Sequence, residues 1–207
     1  MTSTVSSSSP DELLSDEQLV ACALKGDKAA FNDLVIRHER RLFRFLSRSA
    51  ADPADVEDAM QQAMLKAYLN LARYNPRWRF TTWLFTIALR ELRNLRRGRS
   101  AERIESHHEP VAPAVVHPID NDDPGELWRV ARRLLPPQHY TALWLRHGED
   151  LPLADIAKIM SRPRIWVSVT IHRACACLRG AVNSKPIAPV AERRSVSRVK
   201  SVIRGVL

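Results

Sequence analysis

Glycine is scarce in this chain, with six in 207 residues, and neither GxGxxG nor GxxxxGK[ST] occurs. Loops that cradle a phosphate are therefore not expected, and no cofactor is implied. Cysteine is scarcer still, at three. An odd, small number in a chain of this length argues against a disulfide framework and for a reducing compartment, which implies the cytoplasm. No run approaches eighteen apolar residues, so no spanning helix and no stable membrane insertion are expected. The start, Met1-Thr2-Ser3-Thr4, lacks a basic segment followed by an apolar one, and no secretory signal is expected.

Helix formers fill the space that glycine leaves. Alanine and leucine supply 24 and 23 positions, a bias that favours helices over strands. Formal net charge is +9, which speaks to partners and not to fold. Its distribution says more. Residues 73–99 hold eight arginines against one glutamate, and residues 100–126 hold seven acids against one arginine. Residues 127–180 hold nine bases against three acids, and 181–207 six bases against one acid. Two basic blocks around an acidic spacer suggest two contacts with a polyanion, joined by a segment that avoids it.

Capping and breaking residues divide the chain. Residues 1–15, rich in serine, read as a disordered N-terminus. Asp16 can cap a first helix that Gly26 ends, and Asp27 can cap a second whose apolar positions are Phe31, Leu34, Val35, Leu42, Phe45 and Leu46. Asp52-Pro53 starts a third helix to about Arg73. Pro76 makes 74–80 a loop, and Thr81 or Thr82 caps a fourth helix to about Arg97. The first domain is thus 16–99. Residues 100–125, with proline and acids, read as a linker. A second domain, 126–180, breaks into helices at 126–135, 138–148, 153–161 and 164–180; its last pair has the layout of a helix-turn-helix. Residues 181–207 read as a basic tail. Val196, Val199, Ile203 and Val206 could line one side of an amphipathic helix there, away from Arg193, Arg194, Lys200 and Arg204. The expected fold class is all-α: two small helical domains joined by an acidic, proline-containing linker.

Candidate catalytic and metal constellations fail. His107-His108 have no second ligand cluster, and His38-Glu39 lacks a histidine four residues on. Cys175 and Cys177, two apart on a helix, point to different faces. Asp55, Glu57 and Asp58 crowd a helix start, where the dipole favours acids. No metal site and no enzyme are expected.

Three surfaces stand out instead. On the third helix, Val56, Met60, Ala63, Ala67 and Leu71 form an inward stripe. Asp58, Gln61, Gln62 and Leu65 form a second, mixed one, which reads either as a partner-helix contact or as plain surface. On the fourth helix, Leu84, Ile87, Ala88, Leu92 and Leu95 point to the core, while Trp83, Thr86, Arg90, Arg93 and Arg97 line another side, just after Trp78-Arg79-Phe80. Arginines neutralise phosphate and aromatic faces take stacked bases, so this block suits unpaired DNA. Phe80 and Trp83 could equally be core, the more ready reading for Trp83. On the last helix, Val167, Ile171, Ala174 and Leu178 face inward, leaving Ile165, Ser168, Val169, His172 and Arg173 outward, where a recognition helix meets the major groove.

Three stretches of the first domain bring a resemblance: Asp27-Lys28-Ala29-Ala30-Phe31, Asp55 through Tyr68 (DVEDAMQQAMLKAY), and Thr82-Trp83-Leu84-Phe85-Thr86-Ile87-Ala88. Leu135-Pro136-Pro137, Leu145-Arg146, Leu153 through Met160 (LADIAKIM) and His172-Arg173-Ala174 continue it in the second. In this order they resemble extracytoplasmic-function sigma factors of bacterial RNA polymerase, over about residues 16–180. The resemblance implies a transcription initiation factor whose partners are core RNA polymerase and promoter DNA, with an anti-sigma factor as a further candidate. It implies that Asp58, Gln61, Gln62 and Leu65 dock on the polymerase clamp. Trp78, Arg79, Phe80, Trp83, Arg90, Arg93 and Arg97 would melt and read the downstream promoter element. The helix-turn-helix would read the upstream element through Ile165, Ser168, Val169, His172 and Arg173, with Arg146 and Trp166 added by the resemblance. The linker would thread toward the active-site and RNA-exit channels. The chain departs from the family pattern at Gln61-Gln62-Ala63-Met64, at Arg90, and at Ser168 and Thr170, where arginine is usual. Two other classes fit the residues: a stand-alone helix-turn-helix regulator and a protein-interaction module without promoter reading. The first domain discriminates, since a simple regulator has no need of the Asp58–Leu65 stripe or the Trp78–Arg97 block.

Overall fold

The structure is a computed structural model and describes residues 14–50, 52, 54–105 and 125–184. Among the described residues eight α-helices follow one another: α1 (Asp16–Leu24), α2 (Lys28–Ser49), α3 (Ala54–Leu69), α4 (Phe80–Glu105), α5 (Gly125–Leu134), α6 (Pro137–His147), α7 (Leu153–Met160) and α8 (Arg164–Ser184). A 3-10 turn, Leu71–Arg73, follows α3. Among the described residues there is no strand. The all-helical, two-domain architecture read from the sequence is the one observed.

Local chemistry sets the helix starts. Ser15, not Asp16, caps α1: its hydroxyl accepts from the Gln18 backbone while the Gln18 side chain accepts from the Ser15 backbone. Asp16 is thereby released to bond Arg37 and His38 on α2. Asp27 caps α2 through the amides of Ala29 and Ala30, and Asp52 accepts from the Ala54 amide at the start of α3. Helix α3 stops at Leu69, four residues short of expectation, where the 3-10 turn takes over. Neither Thr81 nor Thr82 caps α4. Thr81 lies against His38 and Thr82 bonds Asp155 of α7. Helix α4 runs on to Glu105, beyond the expected end at Arg97 and into the stretch read as linker.

The first-domain core sits between α2, α3 and α4. Phe45 and Phe85 stack with centroids 4.4 Å apart, among fully buried Leu42, Leu46, Leu84 and Leu92. Small residues, Ala59, Ala63 and Ala67, let α3 approach α4 closely. Truncating one of the stacked rings to alanine would cost about 3–5 kcal/mol, the usual penalty for an unfilled aromatic cavity. The second-domain core gathers Leu145, Ile156, Ile159, Val167 and Leu178, and Trp128 of α5 closes it edge-on against Trp144, 4.7 Å away.

Helix α7 lies along α4, and α6 packs on α2, so the two domains share a seam that the sequence did not reveal. Polar links cross it. Arg41 of α2 grips Glu149, with Nε on the carboxylate at 2.6 Å and Nη2 on its carbonyl at 2.9 Å. Thr82 donates to Asp155 at 2.8 Å, both buried. Arg132 of α5 donates to the carbonyls of Ser47 and Ala50 at the C-terminus of α2, where a cation suits the helix dipole.

Candidate polymerase and promoter interfaces

On α3 the inward stripe forms as expected: Val56, Ala63, Ala67 and Leu71 are buried and Met60 is half-buried against the core. The opposite stripe is open. Asp58, Gln61 and Gln62 are exposed, and Leu65 is 52% exposed. Tyr68 and Leu69, which the sequence reading left out, extend this face at 45% and 69% exposure. The period that placed Leu65 also places them, at three and four residues beyond it. Phe31 props Tyr68 edge-on at 5.0 Å. Lys66, also on α3, pairs with the buried Glu91 of α4 and so fixes the two helices in register.

The loop and α4 are less open. Tyr74, Phe80 and Trp83 form an aromatic cluster with centroid separations of 5.5–5.7 Å. Phe80 is 3% exposed and lies 5.1 Å from His38. The expectation that Phe80 stacks a base is corrected: its ring is core, because α4 begins at this residue and turns it onto α2. Trp83 is half-buried in the same cluster. The Tyr74 hydroxyl donates to the Trp78 carbonyl at 2.7 Å, holding the loop, and burial together with Glu17 and Asp16 pushes its ionisation up to about 12. Arg79, Arg90 and Arg97 are exposed. Trp78 and Arg93 are not free of α7. The Lys158 ammonium sits 3.8 Å above the Trp78 ring, and Arg93 donates to the Met160 carbonyl at 3.3 Å. Burial, with Arg162 and Arg97 nearby, lowers the ionisation of Arg93. A cavity of about 430 Å³ lies along this seam; Arg93, Arg96 and Arg97 line it together with apolar Leu89, Leu92, Pro137 and Met160 and polar Ser49, Gln138 and Thr141. Among the described residues no carboxylate lines it.

Helices α7 and α8 meet through Ser161, Arg162 and Pro163. Ser161 adopts the left-handed conformation (φ 53°) that ends α7, a position usually given to glycine. Val167, Ile171, Ala174 and Leu178 are buried, as the period requires. Ile165 is 79% exposed, and Ser168, Val169, His172 and Arg173 are also outward. Trp166 is half-buried beside His139 and under the Arg162 guanidinium. Arg146 is exposed, but one guanidinium nitrogen donates to the Leu151 carbonyl and so also braces the turn before α7. Thr170 is 3% exposed, so its difference from the family's usual arginine does not lie on the outward face. Arg162 and Arg164, exposed at the start of α8, were missed; their place beside Pro163 ahead of the helix was the available signal.

Among the described residues, no three His, Cys, Asp or Glu side chains converge to hold a metal, and no helix is long and apolar enough to cross a membrane. The three cysteines are free thiols, Cys175 buried and Cys177 exposed, on different faces as expected.

An exposed mixed stripe, an arginine-rich helix and a helix-turn-helix follow one another in the order that the resemblance to sigma factors implies. Comparison agrees: residues 23–102 match the family model for Sigma-70 region 2, and residues 133–180 that for Sigma-70, region 4. The ECF RNA polymerase sigma-E factor of Haemophilus influenzae is 33% identical over 79% of this chain and 93% of its own. That of Escherichia coli K12 is 31% identical over 84% and 95%. The RNA polymerase sigma-H factor of Pseudomonas aeruginosa is 31% identical over 77% and 89%. The chain belongs to the extracytoplasmic-function sigma factors. It is a transcription initiation factor that binds core RNA polymerase and directs it to promoters, in a family whose members are not enzymes. The fold also matches two solved structures. One is the sigma factor RpoE in complex with the anti-sigma factor NepR from Bartonella quintana (TM-score 0.64, 20% identity, 74% of this chain and 96% of that one). The other is CnrH in complex with the cytosolic domain of CnrY (TM-score 0.59, 27% identity, 82% and 98%).

Proposed function

We propose that this sigma factor works through three separate faces. The α3 face, Asp58, Gln61, Gln62 and Leu65 with Tyr68 and Leu69, docks on core polymerase. Trp78, Arg79, Arg90, Arg93 and Arg97, with Trp83 at their edge, hold the melted strand of the downstream element. Ile165, Ser168, Val169, His172 and Arg173, flanked by Arg146 and Trp166, read the upstream element as duplex. Ile165 and Val169 offer apolar contact to thymine methyls; Arg173 and His172 offer hydrogen bonds.

The observation that carries this reading is the α3 face. Three large apolar side chains, Leu65, Tyr68 and Leu69, are about half or more exposed on one helix beside acids and amides. Such a patch fits a partner helix, and a regulator acting alone would leave it unused. The chain acts in the cytoplasm, where its polymerase is. One solved structure of similar fold is a sigma factor in complex with the anti-sigma factor NepR, and CnrH is seen with the cytosolic domain of CnrY; an anti-sigma factor is the regulatory partner this reading carries. The deciding experiment is co-purification with core polymerase followed by transcription from a supercoiled promoter library. Failure to bind core, with duplex binding intact, would turn the reading to a stand-alone regulator.

A further inference from the structure

The seam cavity, about 430 Å³, lies within the roughly 300–1,000 Å³ of small-molecule sites. Arg93, Arg96 and Arg97 stand three and four residues apart on α4, so their guanidiniums share the side of the helix that lines it. Like charges so placed repel one another. A fourth cation, Arg162, lies close enough to Arg93 to help lower its ionisation, and donates at 3.2 Å to the side chain of Gln138, itself part of the lining. Among the described residues no carboxylate of the lining answers these charges, and Glu91, two residues before Arg93, is paired with Lys66 of α3. The arginines keep donors to spare. Arg93 gives one nitrogen to the Met160 carbonyl, and Arg97 reaches the Asn94 side chain and the Arg93 carbonyl, whereas each guanidinium carries five N–H groups. Beside them Leu89, Pro137 and Met160 supply an apolar part of the lining.

We propose that this cavity is a binding site for a nucleoside polyphosphate, with the phosphates on Arg93, Arg96 and Arg97 and the base against Leu89, Pro137 and Met160. A guanidinium is planar and takes phosphate oxygens two at a time. Three of them on one side of a helix match a chain of phosphates better than a single one. A partly buried site is also screened less by salt than an open basic surface. The apolar part separates a nucleotide from a bare polyanion, because the faces of a base are flat and apolar. A ligand held there touches residues of α4, α6 and α7 at once, and it stabilises the folded chain by mass action. Arg93 and Arg97 also belong to the strand-holding face proposed for α4. Arg96 and Gln138 do not, so the site can be tested without disturbing that role.

Calorimetric titration of the full chain with ATP, inorganic pyrophosphate and adenosine, in the absence of divalent metal, tests the site. ATP is expected to saturate one site and to raise the melting temperature. Pyrophosphate should bind about tenfold more weakly for want of the apolar contact, and adenosine more weakly still. Arg96→Ala, and independently Gln138→Glu, which sets a carboxylate in the lining, should each weaken ATP about tenfold. Both replace exposed side chains, and the helical signal of the free chain should be unchanged. Arg40→Ala removes the same charge from an exposed position on α2 and should leave ATP binding as it was. Absence of binding, titration without saturation, or an equal loss in Arg40→Ala would reduce the effect to a general attraction of anions to a basic chain and overturn the site. Adenosine binding as tightly as ATP would remove the arginines from it. A single-stranded oligodeoxythymidylate that loses as much affinity as ATP in Gln138→Glu would give the cavity to the DNA strand and overturn the nucleotide. None of these outcomes bears on the α3 or α8 faces, whose roles are read by core binding and by duplex binding.

Discussion

The two helices proposed to face DNA, α4 and α8, are alike in sequence pattern and opposite in situation. Each has an inward apolar stripe and an outward face with arginine. Helix α8 packs on α5, α6 and α7, while Ile165, Ser168, Val169, His172 and Arg173 on its outward face are exposed. Helix α4 packs on α2 and α3 through one side and on α7 through another. The same residue types therefore have different availability. Arg173 is exposed, while Arg93 is half-buried, bonded to a backbone carbonyl and crowded by Arg97 and Arg162. The difference teaches that helical period locates a face but cannot say whether another part of the chain already occupies it.

The largest test sets these two helices against each other. Arg93→Ala with Arg97→Ala should lower open-complex formation tenfold or more, and the salt dependence should become shallower by about 1.4 log units per log unit, two single-strand phosphate contacts' worth. Core binding and upstream duplex binding should be unchanged. His172→Ala with Arg173→Ala should do the reverse, weakening upstream binding by about 1–3 kcal/mol per lost base contact. Footprinting over both elements checks this; identical footprints for the two double variants would break the comparison. Next in size is Leu65→Glu on the exposed α3 face. It should reduce core affinity about tenfold, ~1.4 kcal/mol, while changing thermal melting little, because Leu65 lies outside the buried core and is 52% exposed.

Much of this was legible in the sequence, for identifiable reasons. Positions such as Val167, Ile171, Ala174 and Leu178 must face a core if they lie on a helix, and the structure buries all four. The α3 stripe followed from the same rule. What escaped was decided by tertiary partners. Asp16 looked like a cap, but Ser15 forms the capping box and Asp16 reaches α2. Thr82 looked like a cap and instead crosses to Asp155. Phe80 looked able to stack a base and is sealed against His38, Tyr74 and Trp83. The seam itself was hidden because a helical period marks a buried face without saying which distant helix covers it; one apolar core runs through both domains. Residues 1–13, the remainder of the acidic linker (106–124) and most of the tail (185–207) lie outside the described residues.

A smaller effect probes the frame behind α8. Gly148 ends α6, and a Cβ there would lie 2.8 Å from the Trp144 indole, a ring packed on Trp128. Gly148→Ala should therefore lower stability by about 1–3 kcal/mol through overpacking. Upstream duplex binding should fall with the folded fraction at elevated temperature, while core binding through α3 persists. Melting followed with both binding assays separates the domains.

The smallest expected effect lies behind α4, at the Asp16–His38 contact. His38 is 6% exposed; one ring nitrogen meets Asp16 at 2.8 Å, and the ring lies against Phe80 at the start of α4. The hydrogen bond from His38, with Arg37 adding to it, holds the Asp16 carboxyl below its ordinary value of 3.8. A depressed carboxyl contributes stability above the unfolded value and loses it as pH falls through the folded one. The Asp16 contribution should thus be complete at neutral pH and down to about pH 4, then fade. Asp16→Asn should melt below the wild type at pH 6 by the equivalent of about 0.5–1 kcal/mol, modest because Arg37 and Asp16 are partly in water. The gap should narrow as pH drops below 3.8. Strand binding by α4 should weaken with it, since the Phe80 support loosens, whereas upstream binding by α8 should not respond. A gap that stays constant from pH 6 to pH 3 would show that the carboxylate charge is irrelevant and that only its shape matters to the α1–α2 contact.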